Sequence, residues 1–123
     1  MIVVALAAAA SIAMGSWLPI PGGSWSPASR QVEDVRSGSK RFVESEAEKR
    51  HMPLRPWSTY TFQYQGQTSH DRRVIYVNAF CEPPPDYARR QFVDVDDGGS
   101  CYFQLRYDPA ARKFVEVTFN GIG

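Results

Sequence analysis

The stretch from Arg72 to Phe119 constrains this chain more than any other. It reads RRVIYVNAFC, a proline-rich loop, FVDVDDGGSCYFQLRYDP and then KFVEVTF, and it holds the only two cysteines, Cys81 and Cys101. Apolar residues recur there at period two, which implies antiparallel strands. In Arg73–Cys81, Ile75, Val77, Ala79 and Cys81 form one row; Val74, Tyr76 and Phe80 form the other, with Asn78 among them. A strand apolar on both faces is central and covered twice. In Ser100–Tyr107, Cys101, Phe103, Leu105 and Tyr107 share one row, and Tyr102, Gln104 and Arg106 share the other. Both cysteines fall on rows assigned to the core, so the simplest expectation is one disulfide. Closing a loop of that length stabilises by roughly 3 kcal/mol in the chain-entropy account.

The remaining strands follow from the same reading. Phe92–Asp96 and Ser100–Tyr107 are expected to form a hairpin through Asp96-Asp97-Gly98-Gly99, whose residues tolerate positive φ. In Lys113–Phe119, Val115, Val117 and Phe119 make the inward row. Trp57–Gln65 alternates, with Tyr60, Phe62 and Tyr64 on one side, and Gln65-Gly66-Gln67 supplies its turn. Glu82–Asp86 holds three prolines and cannot pair as a strand. Tyr87–Gln91 is read as a helical turn.

Upstream, Val32, Val35, Phe42, Val43 and Ala47 share a face at helical spacing. Ser26 is the expected cap, Pro27 the first helical residue, and Pro53 and Pro56 end the helix by about His51. Ser37-Gly38-Ser39 interrupts the pattern, so one kinked helix is expected, with two helices as the alternative. Glu44, Glu46 and Glu48 beside Lys49 and Arg50 read as a solvated face.

Ile2–Ala13 is an apolar run too short to span a bilayer and suited to a secretory signal, although no Lys or Arg precedes it. The expected organisation is a signal peptide over 1–13 (or to 15), an arm over 14–27 and one domain over 28–123. The arm, WLPIPGGSWSP from Trp17 to Pro27, reads as an extended linker because its prolines lack backbone donors, with Trp17 and Trp25 expected to pack on the domain and a partner-contacting arm as the alternative. The implied location is periplasmic or secreted, with no stable membrane anchor after signal cleavage.

No motif carries a chemistry. Asp94, Asp96 and Asp97 before Gly98 approach a calcium loop, but the spacing departs from the pattern and no bidentate Glu follows. They are weak metal candidates, and a solvated tip is the better reading. His51 and His70 are too few and too far apart for a metal site. Ser69-His70-Asp71 has triad letters, yet adjacent residues do not point at one another, so it is a turn. Arg72-Arg73 and Arg89-Arg90 read as surface charge. With a net charge of +1, no global field attracts nucleic acid. No cofactor is expected.

The run VNAFC, then DGGSCYFQLRYDP, then FNG, resembles uncharacterised small exported proteins of Gram-negative bacteria. The likeness covers the last half of the chain. It implies an exported single domain and transfers no activity, cofactor or catalytic residue. The helix-then-sheet order is also similar to cystatin-type folds.

The expected fold is therefore α+β: one long N-terminal helix on a four- to five-stranded antiparallel sheet. The expected function is a non-catalytic binding module of the cell envelope with a protein partner, an inhibitor or immunity-type protein. The alternative is a small periplasmic hydrolase using Asp94, Asp96 or His70. Tyr76, Phe80, Tyr102 and Arg106 fall on the outward rows of central strands, and tyrosine and arginine are enriched at interfaces. They are the expected partner face, unless the Trp17–Trp25 arm or the Pro83–Pro85 loop folds over them.

Overall fold

The computed structural model describes residues 11–121; the expected signal sequence up to residue 10 lies outside them. In chain order the elements are β1 (Trp17–Pro19), α1 (Ser29–Lys49), β2 (Thr61–Ser69), β3 (Arg72–Phe80), β4 (Tyr102–Asp108) and β5 (Lys113–Phe119). The strands form one sheet in the order β1-β2-β3-β4-β5. This is the expected α+β arrangement, antiparallel throughout except that β1 runs parallel to β2.

The arm packs on the domain, as expected for Trp17 and Trp25, and it does so as a paired strand. Trp17, Leu18 and Pro19 pair with Phe62, Gln63 and Tyr64. Trp17 stacks on Phe62 at 4.3 Å, and Leu18 is buried beneath the other face of the sheet. Trp25 then bridges Gly66, and its indole N–H donates to the Gln67 carbonyl at 2.9 Å. The apolar bodies of Trp17 and Leu18 favour the sheet over solvent, and their burial offsets the entropy of ordering a proline-rich segment.

That bridge also moves the helix start. With Trp25 held on Gly66, the chain stays extended through Ala28, and α1 begins at Ser29 instead of Pro27. Ala28, not Ser26, is the cap residue; its N–H donates to Gln31 Oε1 at 2.9 Å. The helix runs unbroken through Ser37-Gly38-Ser39. Val35, Ser39, Val43 and Ala47, spaced by four, are its buried face. Gly38 meets the Phe114 ring, where a Cβ would sit 2.9 Å from Cε2, so the small residues mark closest approach to the sheet. At the far end the Met52 N–H bonds the Ala47 carbonyl and the His51 N–H bonds the Glu48 carbonyl, with His51 at φ 53°. This is a Schellman stop with a histidine in the left-handed position.

The first core lies between α1 and the sheet. Val35 and Val43 pack with Tyr60, Phe62, Ile75, Val77, Ala79, Phe103, Leu105, Tyr107 and Val117. These are the inward rows expected for β3 and β4. In β5 the expected row is corrected. A bulge between Arg106 and Tyr107 shifts the register, so Tyr107 pairs with Phe114 and Val115 is left 49% exposed. Phe114 turns inward instead, stacking on Phe42 at 5.1 Å.

Two further expectations are overturned. Trp57–Thr59 is a 3₁₀ turn, and β2 continues through Gly66 to Ser69, so Gln65-Gly66-Gln67 is not a turn. The chain reverses at His70-Asp71, both with positive φ (50° and 64°), in a two-residue hairpin. Phe92–Asp96 is not a strand. β4 already has β3 and β5 as neighbours, so neither edge of β4 is open to the segment as a hairpin partner. The segment instead crosses the second face of the sheet.

Cys81 and Cys101 are bonded, with Cα atoms 5.0 Å apart. Their rows differ from expectation in one respect. The 3₁₀ turn Gly99–Cys101 breaks the period before β4, so Cys101 belongs to a second cluster with Leu18, Phe80, Ala88, Val93 and Tyr102. Cys81 touches both clusters.

Candidate functional site

The second face of the sheet held the expected partner surface, and most of it is covered by the chain itself. A row of side-chain amides crosses it: Gln63 on β2, Asn78 on β3, Gln104 on β4 and Asn120 just past β5. Gln63 Nε2 donates to the Ala88 and Gln91 carbonyls, both at 2.8 Å, while its Oε1 accepts the Val93 N–H at 2.9 Å. Asn78 Nδ2 donates to Gln63 Oε1 at 2.9 Å and to the Val93 carbonyl at 2.8 Å. Gln104 links Asn78 to Asn120, and Asn120 Nδ2 donates to the Val95 and Asp97 carbonyls. Backbone groups that a strand partner would satisfy are thus satisfied by side chains. This is why Phe92–Asp96 lies flat on the sheet without being part of it.

The covering loop decides the fate of the four residues. Phe80 is fully buried and Tyr102 is 9% exposed, so neither is a contact residue. Tyr76 and Arg106 stay half-buried at the open margin, with Phe92 edge-on to Tyr76 at 5.2 Å and the Arg106 guanidinium 5.3 Å from its ring centre. Burial holds the Tyr76 hydroxyl above the usual tyrosine range, Arg106 pulls it down, and Asp94 pushes it up. Tyr102 is likewise raised, first by burial and then by Glu82, Tyr87 and Asp97. Arg106 is itself engaged with Glu116 at 2.9 Å.

The carboxylates and histidines named for catalysis or metal are not brought together. His70 occupies the β2–β3 turn, whereas Asp97 lies by Tyr102 at the other end of β4. The nine residues of β3 span eight rises, about 26 Å at ~3.3 Å per residue, and separate the two ends. Asp94, Asp96 and Asp97 are exposed, and among the described residues no group of three His, Cys, Asp or Glu side chains converges. A cysteine nucleophile is excluded by the disulfide.

The hairpin end of the sheet offers more. There the His70-Asp71 turn, the Asp108–Arg112 turn and the first turn of α1 border a cleft of about 600 Å³ lined by Gln31, Asp71, Arg72, Arg73, Asp108, Pro109 and Ala110. Three of the four described non-glycine residues with positive φ sit in its two turns: His70, Asp71 and Arg112 (φ 53°). Asp108 Oδ1 accepts the Ala110 and Ala111 N–H groups at 2.9 and 3.1 Å, which shapes the second turn. Its Oδ2 lies 4.0 Å from Arg72 Nη1. Arg112 reaches Asp34 on α1 at 3.2 Å and ties that turn to the helix. Arg73 lies over the Trp25 ring, 5.2 Å from its centre.

Sequence reasoning passed over this cleft. Arg72-Arg73 read as surface charge, and nothing local linked them to Trp25, Gln31 or Asp108. Ser69-His70-Asp71 read as a turn was the one available signal. Comparison of the chain with protein-family models, curated protein sequences and solved structures finds no match.

Proposed function

We propose that the protein is an exported, non-catalytic binding module of the cell envelope, an inhibitor or immunity-type protein, and that it engages a protein partner through the hairpin end of its sheet. The observation that carries this reading is the pairing of two turns, each held in left-handed backbone, around a single charged cleft. Both turns close hairpins of one sheet, and binding residues sit on loops held by such a rigid scaffold. The disulfide supports an oxidising compartment. The Tyr76–Arg106 margin is the lesser candidate, because Arg106 already pairs with Glu116.

The test is capture from envelope extract by the immobilised protein, followed by reconstitution with the purified partner. Arg72→Ala with Arg112→Ala is expected to weaken binding at least tenfold, while Lys40→Ala with Arg41→Ala on the outer helix surface leaves it unchanged. Equal binding by both pairs would rule out the hairpin end as the contact.

A further inference from the structure

We propose that the cleft at the hairpin end is a carboxylate site, in which Arg73 and Arg72 take a glutamate or aspartate side chain or the terminal carboxylate of a protein partner. The proposal rests on the binding-module reading for the source of the carboxylate, and on the cleft alone for its chemistry.

Arg73 is the centre of the argument. Its guanidinium lies over the Trp25 indole, and the indole is fixed in turn by its hydrogen bond to Gln67 and by the bridge to Gly66. Stacking uses the face of the guanidinium and leaves the fork of N–H donors at its edge. No carboxylate lies within 4.0 Å of Arg73 among the described residues. The ring contact favours one placement of this exposed side chain, and its donors meet no acceptor among the described residues, which lowers the ordering cost of binding. Arg72, the preceding residue of β3, leaves the opposite face of the strand but lines the same cleft, with 80% of its side chain exposed and its guanidinium at the limit of ion-pairing distance from Asp108. Gln31 adds a third donor to the lining: its Oε1 is occupied by the Ala28 N–H, which leaves its amide N–H groups for a ligand.

The charge balance selects the kind of anion. Two arginines face two aspartates, Asp71 and Asp108, in the lining. Asp108 is engaged by two backbone N–H groups and by Arg72, and only 13% of its side chain is exposed. Asp71 is exposed on the turn. A phosphate dianion meets both carboxylates with twice the charge, whereas a carboxylate carries one negative charge and matches the planar guanidinium with two parallel hydrogen bonds.

The experiment is a titration of the ¹⁵N-labelled protein, with chloride holding the ionic strength constant. The signals followed are the arginine Nε–H and tryptophan Nε1–H resonances. The probes are acetyl-Gly-Glu-Gly-amide, its Gln counterpart, acetyl-Gly-Gly-Gly with a free terminal carboxylate, and inorganic phosphate. The expected result is saturable shifts of the Arg73 and Trp25 signals with the Glu peptide or the terminal carboxylate, whichever is the source. The Gln peptide shifts neither, and phosphate binds more weakly. Arg73→Gln abolishes the response, Arg72→Gln weakens it at least threefold, and Arg90→Gln, on the covering loop, leaves it unchanged. Shifts no larger than those with the Gln peptide, a response that survives Arg73→Gln, or tighter binding of phosphate overturns the proposal. Because the titration uses the isolated protein, its failure leaves capture from envelope extract unaffected. Conversely, success in the titration with no captured partner rejects only the binding-module reading.

Discussion

Gln63→Met tests the view that side-chain amides, and not strand pairing, hold the loop on the second face. Methionine keeps the unbranched length of glutamine and removes its four hydrogen bonds, to Ala88, Gln91, Val93 and Asn78. Gln91 is exposed, so water replaces that partner, and Asn78 Nδ2 keeps its bond to the Val93 carbonyl. The Ala88 carbonyl and the Val93 N–H are left in buried residues with no replacement. Each stranded group costs about 1–2 kcal/mol, so the expected loss is about 2–4 kcal/mol, a large part of the ~5–15 kcal/mol of an ordinary domain. Gln65→Met is the control. It lies two residues along on the same face, half-buried, and donates chiefly to the Pro21 carbonyl at 2.8 Å, where water is available. Its expected loss is below about 1 kcal/mol. Urea unfolding gives both values, and hydrogen exchange at the Val93 amide shows whether the loop opens locally. If Gln63→Met stays within about 1 kcal/mol of the parent and Val93 exchanges no faster, the amides do not hold the loop.

Three other outcomes are expected. Replacing both cysteines by alanine lowers stability by about 3 kcal/mol, from the loop closed over a separation of 20 residues, yet leaves the fold intact because the amides still hold the loop; loss of near-ultraviolet circular dichroism without denaturant would refute this. Gly98→Ala destabilises by about 2 kcal/mol or more, since φ is 100° and a Cβ would sit 2.5 Å from the Tyr102 ring; Gly99→Ala, with nothing within 4 Å, costs about 1 kcal/mol, and equal midpoints in urea would contradict the contrast. Stability falls in alkali. Tyr60, Tyr76, Tyr102 and Tyr107 are all raised above the usual tyrosine range, mainly by burial, so the folded state holds protons that the unfolded state releases above about pH 10. That stabilisation is fully present below about pH 10 and is lost as pH rises through the folded values; a urea midpoint unchanged between pH 9 and 11.5 would count against it.

The sequence by itself determined the α+β class, the helix over most of its length, the inward rows of β3 and β4, the turn at Ser69-His70-Asp71 and the disulfide. Each is a local pattern or an alternation relative to one face, and hydrophobic burial acts on such patterns directly. The tertiary structure decided what covers the second face. Tyr102 and Phe80 looked like a surface because alternation reports which side a residue points to, not what lies above it. What lies above them is a loop held by Gln63, Asn78 and Asn120 to backbone groups up to 30 residues away, and no spacing rule connects those positions. Gly66 read as a turn because its role, close passage of the Trp25 backbone, depends on a segment some 40 residues earlier. The cleft is of the same kind. Arg73 is an ordinary surface arginine until the arm lays Trp25 beneath it, and Asp108 meets Arg72 only because β3 and β4 are antiparallel neighbours. Side-chain hydrogen bonds and charge contacts between distant segments form only after the apolar faces have brought the strands together, so the pattern that drives folding carries no record of them.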